Sequence, residues 1–116
     1  MRRFRANAVA AVELPELETF AVVLAEEPDG GERLELQKAL VFDEQDPRLG
    51  MNTYCLSTDT GTVYGGVVSW TLTGNSLELR LDARAAAALG VDGGFQVDLP
   101  PEHLRMLHEG LERVLG

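Results

Sequence analysis

Cysteine is almost missing from this chain, which contains Cys55 and no second thiol. No disulfide can therefore form within the chain, and no cluster of thiolates can bind zinc. The residues around Cys55 favour a small core side chain in a strand. The sequence thus offers no thiol-based site.

Long apolar runs are also missing. The longest, Phe20 to Ala25 and Ala85 to Leu89, fall well short of the ~20 residues that a membrane-spanning helix needs. The basic start, Met1 to Arg5, is not followed by the apolar core and cleavage site of a signal peptide. We therefore expect no membrane partner and a location in the cytoplasm.

Positive charge is scarce, and Lys38 is the only lysine. The net charge is -9, and residues 13–46 hold eleven acids against Arg33 and Lys38. Such a surface repels nucleic acid and anionic lipid, whereas it attracts basic proteins with an association rate that salt lowers. The charge favours a basic protein partner and no nucleic acid, although solubility alone would also account for it.

Length and composition predict one domain over residues 1–116. A chain of this size forms a single core, and a composition that is 45% hydrophobic and 25% charged is typical of a folded globular protein. Disorder is not expected.

Alternation of apolar and polar residues predicts strands over most of the first 82 residues. The turns Pro28–Gly31, Asp59–Gly61 and Gly74–Asn75 would join neighbouring strands as hairpins. The predicted strands are Phe4–Val12, Phe20–Ala25, one with Leu34, Leu36, Leu40 and Phe42 on a single face, Asn52–Thr58, one with Tyr64, Val68, Trp70 and Leu72 on a single face, and Leu77–Leu81.

Helices are predicted only after Asp82. This residue can cap a short helix, Ala83–Leu89, that Gly90 ends. A strand over Phe95–Leu99 follows, and then a C-terminal helix with an apolar stripe through Leu104, Leu107, Leu111 and Val114 or Leu115. We therefore predict an α+β fold: an antiparallel sheet of six or seven strands, mostly a meander, with the short helix and the C-terminal helix packed on one face.

No set of residues indicates catalysis or a metal site. His103 and His108 are five positions apart, which separates them by about 140° around a helix and prevents shared metal ligation. Asp43, Glu44 and Asp46 could serve glycoside hydrolysis, but no apolar neighbour in the sequence would raise the pKa of one of them. We predict no enzymatic activity, no cofactor and no metal.

The region from Gln37 to Gly66 combines acids, aromatic residues and glycines that could form one surface. Gly65–Gly66 within a strand indicates either a bulge or a close approach by another backbone. Tyr54 or Tyr64 could pack against such a bulge or could line a docking groove. Both interpretations remain open at this point.

Three runs in this region, Leu36–Asp46, Leu49–Cys55 and Tyr64–Val67, together resemble the immunity protein 10 family of bacterial polymorphic-toxin systems. The similarity extends through the short helix, the following strand and the final helix. It implies a small α+β protein that binds and blocks a cognate toxin encoded nearby.

The resemblance also suggests a partner-binding set. Asp43, Glu44, Gln45 and Asp46 would contact basic toxin residues, with Tyr54 or Tyr64 as an aromatic anchor. Alternatively, Asp43 and Asp46 could accept hydrogen bonds from backbone amides of their own loop.

Two other functions remain open. A small-ligand sensing or scaffold domain would need an apolar pocket of roughly 300 Å³ or more between sheet and helix. A hydrolase would need the Asp43 loop to be catalytic. The sequence also leaves open whether two copies pair through an exposed edge strand.

Overall fold

The computed structural model describes residues 1–28, 30–39 and 54–115, which form two β-sheets and two α-helices. Short 3-10 turns span Pro15–Leu17 and Pro101–His103. The elements are β1 (Arg2–Arg5), β2 (Ala8–Leu14), β3 (Thr19–Glu27), β4 (Gly30–Ala39), β5 (Cys55–Ser57), β6 (Thr62–Tyr64), β7 (Val67–Thr73), β8 (Ser76–Leu81), α1 (Ala83–Leu89), β9 (Gly94–Asp98) and α2 (Leu104–Leu115).

The five-stranded sheet is an antiparallel meander in the order β2-β3-β4-β5-β6. Side chains alternate between its two faces because successive residues of a strand point in opposite directions. Its inner face carries Val22, Leu36 and Leu56, which are aligned across β3, β4 and β5 and are fully buried. This sheet forms one wall of the core.

The four-stranded sheet has the order β1-β9-β8-β7, and its pairs are antiparallel except for β1 with β9. The N-terminal strand lies beside the strand formed by residues 94–98, and the amide of Ala6 donates to the Asp98 carbonyl at 2.7 Å. Phe4, Leu77, Leu79 and Val97 project from this sheet into the core. The second wall is thus completed by strands far apart in sequence.

Both helices begin and pack as their sequences predict. Asp82 caps α1 by accepting from the Ala85 amide at 2.8 Å, and Gly90 ends the helix with a φ of 68°. In α2, Leu107 and Leu111 are fully buried among core residues of both sheets. Gly110 lets the helix lie close to β2 and β3, since a Cβ there would be 2.9 Å from Cγ2 of Val22.

The α+β class, both predicted helices and the meander are confirmed, but the single sheet of six or seven strands is wrong. The segment Phe4–Val12 forms two strands in different sheets, β1 and β2, separated at Ala6–Asn7. Residues 8–12 are all apolar, so the pattern gave no sign that the core-facing residues change from Phe4 and Ala6 to Val9 and Ala11. Leu40 and Phe42 lie outside the described residues.

The predicted fifth strand is also divided. β6 ends at Tyr64, β7 begins at Val67, and the side chains of Tyr64 and Val68 are 55% and 68% exposed instead of sharing the core face with Trp70. Two causes act here: the chain changes sheet at Gly65–Gly66, and a β-bulge shifts the register between Val67 and Ser69. Each interrupts the alternation on which the prediction depended.

Gly94 provides a stability test of the contact between β8 and β9. A Cβ at this position would lie 2.0 Å from the Leu79 carbonyl oxygen, and the φ of 141° disfavours any other residue. We expect Gly94→Ala to lower the free energy of unfolding in urea by about 3 kcal/mol or more.

Gly93 is the matched control for that substitution. Its φ is 80°, but a Cβ would meet no atom within 4 Å. Gly93→Ala should therefore lower the free energy of unfolding by only about 1–2 kcal/mol, from the strain of a left-handed backbone conformation. Equal losses for the two variants would contradict the close contact at Gly94.

Candidate docking surface at the Tyr54 corner

The two sheets are joined at a hydrogen-bonded corner formed by Tyr54, Gly65, Gly66 and Val67, here called the Tyr54 corner. The hydroxyl of Tyr54 accepts from the Val67 amide at 2.8 Å, and the carbonyl of Tyr54 accepts from the Gly65 amide at 3.0 Å. One residue thus holds both sides of the crossing between β6 and β7.

The glycine pair is required by this crossing. Gly65 and Gly66 have φ values of 69° and 98°, a region that other residues rarely adopt. A Cβ on Gly66 would lie 2.5 Å from the Cβ of Ala85. The Gly66 carbonyl also accepts from the Asp82 amide at 2.9 Å, which ties the corner to the start of α1. Close approach, the second interpretation of Gly65–Gly66, is confirmed, and the bulge lies just beyond the pair.

The two tyrosines have different surroundings. Tyr54 is half-buried, and burial raises the pKa of its phenol above the ordinary value of 10.0, although the hydrogen bond from Val67 opposes that change. Tyr64 is exposed, and its backbone carbonyl accepts from the Arg84 guanidinium at 3.0 Å. Tyr54 therefore contributes to the structure of the corner, whereas the Tyr64 ring is available to a partner.

A solvent-open groove of about 360 Å³ adjoins the Tyr54 corner. The Trp70 ring contacts the edge of the His108 ring, with 5.6 Å between centroids, so the position of Trp70 is set partly by α2. Val68 is the most exposed of the groove residues that are large and apolar. The groove is lined by Tyr54, Val67, Val68, Ser69, Trp70 and Leu115.

Sequence reasoning missed Val68 and Leu115 as surface residues of this groove. The adjacent apolar pair Val67–Val68 breaks strict alternation directly after two glycines, and this was the available signal for a bulge. For Leu115 no signal existed, because an apolar residue near the end of an apolar stripe predicts burial.

An acidic turn lies at the end of the five-stranded sheet where Tyr54 lies. The register pairs Thr19 with Ala39 and Cys55 with Tyr64, so the turn between β2 and β3 and the end of β4 are at this same end. That turn exposes Glu16 and Glu18. Asp43, Glu44, Gln45 and Asp46 lie outside the described residues.

Positive charge on the described surface is largely neutralised by the chain itself. Arg113, for example, donates to Glu13 at 2.6 Å and stacks over the Phe20 ring at 4.2 Å. Glu16 and Glu18, in contrast, form no ion pair within residues 1–28, 30–39 and 54–115. Further ion pairs join Arg2 to Glu32, Arg3 to Asp98, Arg33 to Glu35, Arg80 to Glu78 and Arg105 to Glu109.

Over the described ranges, no group of three or more His, Cys, Asp or Glu side chains could hold a metal ion. His103 lies in the 3-10 turn before α2, whereas His108 is exposed on α2, with Nε2 3.3 Å from Glu112.

Neither helix described above has the length and apolar character that crossing a bilayer demands.

The Tyr54 hydroxyl should measurably stabilise the corner. Tyr54→Phe leaves the Val67 amide without its acceptor, so the free energy of unfolding at neutral pH should fall by about 1 kcal/mol. Because folding raises the pKa of Tyr54, the protonated phenol stabilises the folded state. This stabilisation is fully present below pH 10.0 and is lost as the pH rises through the pKa of the folded protein. Denaturant titrations from pH 7 upward should therefore show a steeper alkaline decline in the native protein than in the variant.

Tyr64→Phe is the control, since the Tyr64 hydroxyl forms no hydrogen bond with any described residue. Its unfolding free energy should match that of the native protein at neutral pH. A cost equal to that of Tyr54→Phe would rule out a specific role for the bond to Val67.

Comparison with known proteins places the chain in a family. The family model described as Immunity protein 10 matches residues 5–105, which include the whole Tyr54 corner and most of both sheets. No curated protein and no solved structure matches the chain. On the extent of the family match, the chain belongs to the Immunity protein 10 family.

Proposed function

We propose that this protein is a non-catalytic inhibitor that binds a basic cognate toxin of a polymorphic-toxin system and covers its active surface. The observation that carries the proposal is that Glu16 and Glu18, exposed and unpaired, lie at the same end of the five-stranded sheet as Tyr54, which lines an open groove. Family membership implies a toxin as the partner. The charge and the groove are the features from which we infer how that toxin is held.

Electrostatic attraction would guide the first encounter. Glu16 and Glu18 are exposed and unpaired, at the end of the sheet where β4 ends. Like charges that lack internal cations create a negative potential, which raises the association rate of a basic partner. We propose that Asp43, Glu44, Gln45 and Asp46 then contact basic groups that the toxin uses to hold its own substrate.

Apolar contacts would hold the complex after the encounter. Interfaces commonly depend on a few buried aromatic and aliphatic residues surrounded by a polar rim. Tyr64 and Val68 flank the Tyr54 corner with exposed fractions of 55% and 68%, and the groove that Val68 and Leu115 help to line can take a side chain. Tyr54 would contribute one wall of the groove while its hydroxyl remains bonded to Val67.

A small-ligand sensing role is the second candidate, because the groove volume of about 360 Å³ lies in the range of small-molecule sites. The groove is open along one side instead of enclosed, however, which suits a protein segment better than a small molecule. Trp70 fluorescence would report binding in the groove. Displacement of every bound small molecule by the toxin would favour the first function, and independent binding of the two would favour the second.

Co-expression provides the direct test. The product of the adjacent toxin reading frame should kill host cells alone, should be silenced by this chain, and should co-purify with it at low salt. Failure to co-purify at low salt would refute the proposed function.

In stopped-flow mixing, the association rate should fall as ionic strength rises, because salt screens electrostatic attraction beyond ~8 Å at physiological concentration.

Two double variants separate local charge from net charge. Glu16→Gln with Glu18→Gln should slow association by about threefold at low salt. Glu27→Gln with Asp59→Asn removes the same charge from exposed hairpins at the opposite end of the sheet and should change the rate far less. Equal effects would show that only the overall charge matters.

A further inference from the structure

β7 is an open edge of the four-stranded sheet, since it pairs with β8 alone among the described strands. Unpaired strand edges can accept an additional strand, and proteins usually block them with charges, proline or a short length. β7 has seven residues, VVSWTLT, with no charge and no proline. Its bulge at Val68 is its one protective feature.

The other edges are less suited to a basic partner. β1 contains three arginines in four residues, and β6 has only three residues. β2 is as long as β7, but the groove of about 220 Å³ beside it is bordered by Arg33 and His103. Only the β7 edge among these four combines length, neutrality and an adjacent groove without an arginine in its lining.

The register shows which backbone groups of β7 face outward. Gly74 and Asn75 form a two-residue turn, and Thr73 pairs with Ser76 across it. Hydrogen-bonded and non-hydrogen-bonded pairs alternate along an antiparallel ladder. Counting back from the turn, Thr71 bonds to β8, whereas the amides of Trp70 and Leu72 point away from β8 toward the free edge.

The groove follows this edge. Four consecutive residues, Val67 to Trp70, line it, so both faces of the strand border the same space. Leu115 forms part of the opposite side, and Glu112 lies close by, with Oε1 3.3 Å from the His108 ring that contacts Trp70. The groove therefore offers apolar side chains together with polar groups, and Glu112 lies beyond the His108 ring that contacts its Trp70 wall.

We propose that β7 accepts an extended segment of the toxin as an added fifth strand, with alternate apolar side chains of that segment in the groove and flanking basic residues toward Glu112. This mode of binding rests on the proposed function. Backbone hydrogen bonds to Trp70 and Leu72 would supply affinity, and the groove would select the side chains. A second copy of this chain is disfavoured as the occupant because each copy carries a net charge of -9.

Amide hydrogen exchange of the native chain, alone and with the purified toxin from the adjacent reading frame, tests the strand addition. The amides of Trp70 and Leu72 should exchange at least about tenfold more slowly in the complex, while Thr71 should change little because it is already bonded to β8. A complex in which Trp70 and Leu72 keep their free rates would overturn strand addition and leave the proposed function intact. Absence of any complex would remove both.

A matched pair of substitutions tests the same edge by affinity. Val68→Lys places a charge on the exposed bulge of β7, and we expect it to weaken toxin binding by about tenfold or more. Val12→Lys makes the same change at a residue 42% exposed on β2 and should leave affinity unchanged. Circular dichroism should show both variants folded.

Two results would contradict the choice of edge or occupant. A larger loss for Val12→Lys than for Val68→Lys would assign the toxin to β2. Sedimentation of the isolated chain as a dimer that Val68→Lys dissociates would assign the β7 edge to a second copy.

Discussion

The bond between the Tyr54 hydroxyl and the Val67 amide fixes the crossing at which the chain passes from the five-stranded sheet into the four-stranded sheet. At this point the chain leaves one sheet and enters the other within two residues, Gly65 and Gly66, both in conformations that other residues resist. A tight crossing leaves backbone groups without ladder partners. Tyr54 and the Asp82 amide provide those partners, so the crossing is stable and the exposed residues beside it keep a defined position.

Charge and packing are organised separately in this molecule. Within the described ranges the core contains no buried polar or charged residue, so the sheets and α2 are joined by apolar contacts. The arginines lie on the surface, where individual ion pairs contribute little stability. Their main effect is to neutralise the acids with which they pair, such as Glu13 and Glu32, while acids such as Glu16 keep their charge.

The sequence predicted the elements of this fold better than their arrangement. Local sequence signals were strong where a residue caps a helix, as Asp82 does, or ends one, as Gly90 does. They were also strong in the buried stripe through Leu107 and Leu111. Alternation shows which residues share a face, but it does not identify the sheet to which a strand belongs. Val68 was misplaced for that reason. Of the site, the sequence indicated Tyr54, Tyr64 and the close approach at Gly66, whereas the groove depends on a register shift and on contacts between distant segments.

The parallel pairing of Arg2–Arg5 with Gly94–Asp98 has a consequence for the order in which the molecule forms. Among the described strands, β1 pairs only with β9, so it has no neighbour in its sheet until residues 94–98 have been made. The β2 to β6 meander can assemble earlier from local hairpins, because contacts between nearby residues close small loops. During synthesis, Phe4 therefore lacks its place in the four-stranded sheet until residues 94–98 emerge, and the groove beside β7 acquires its Leu115 wall later than that.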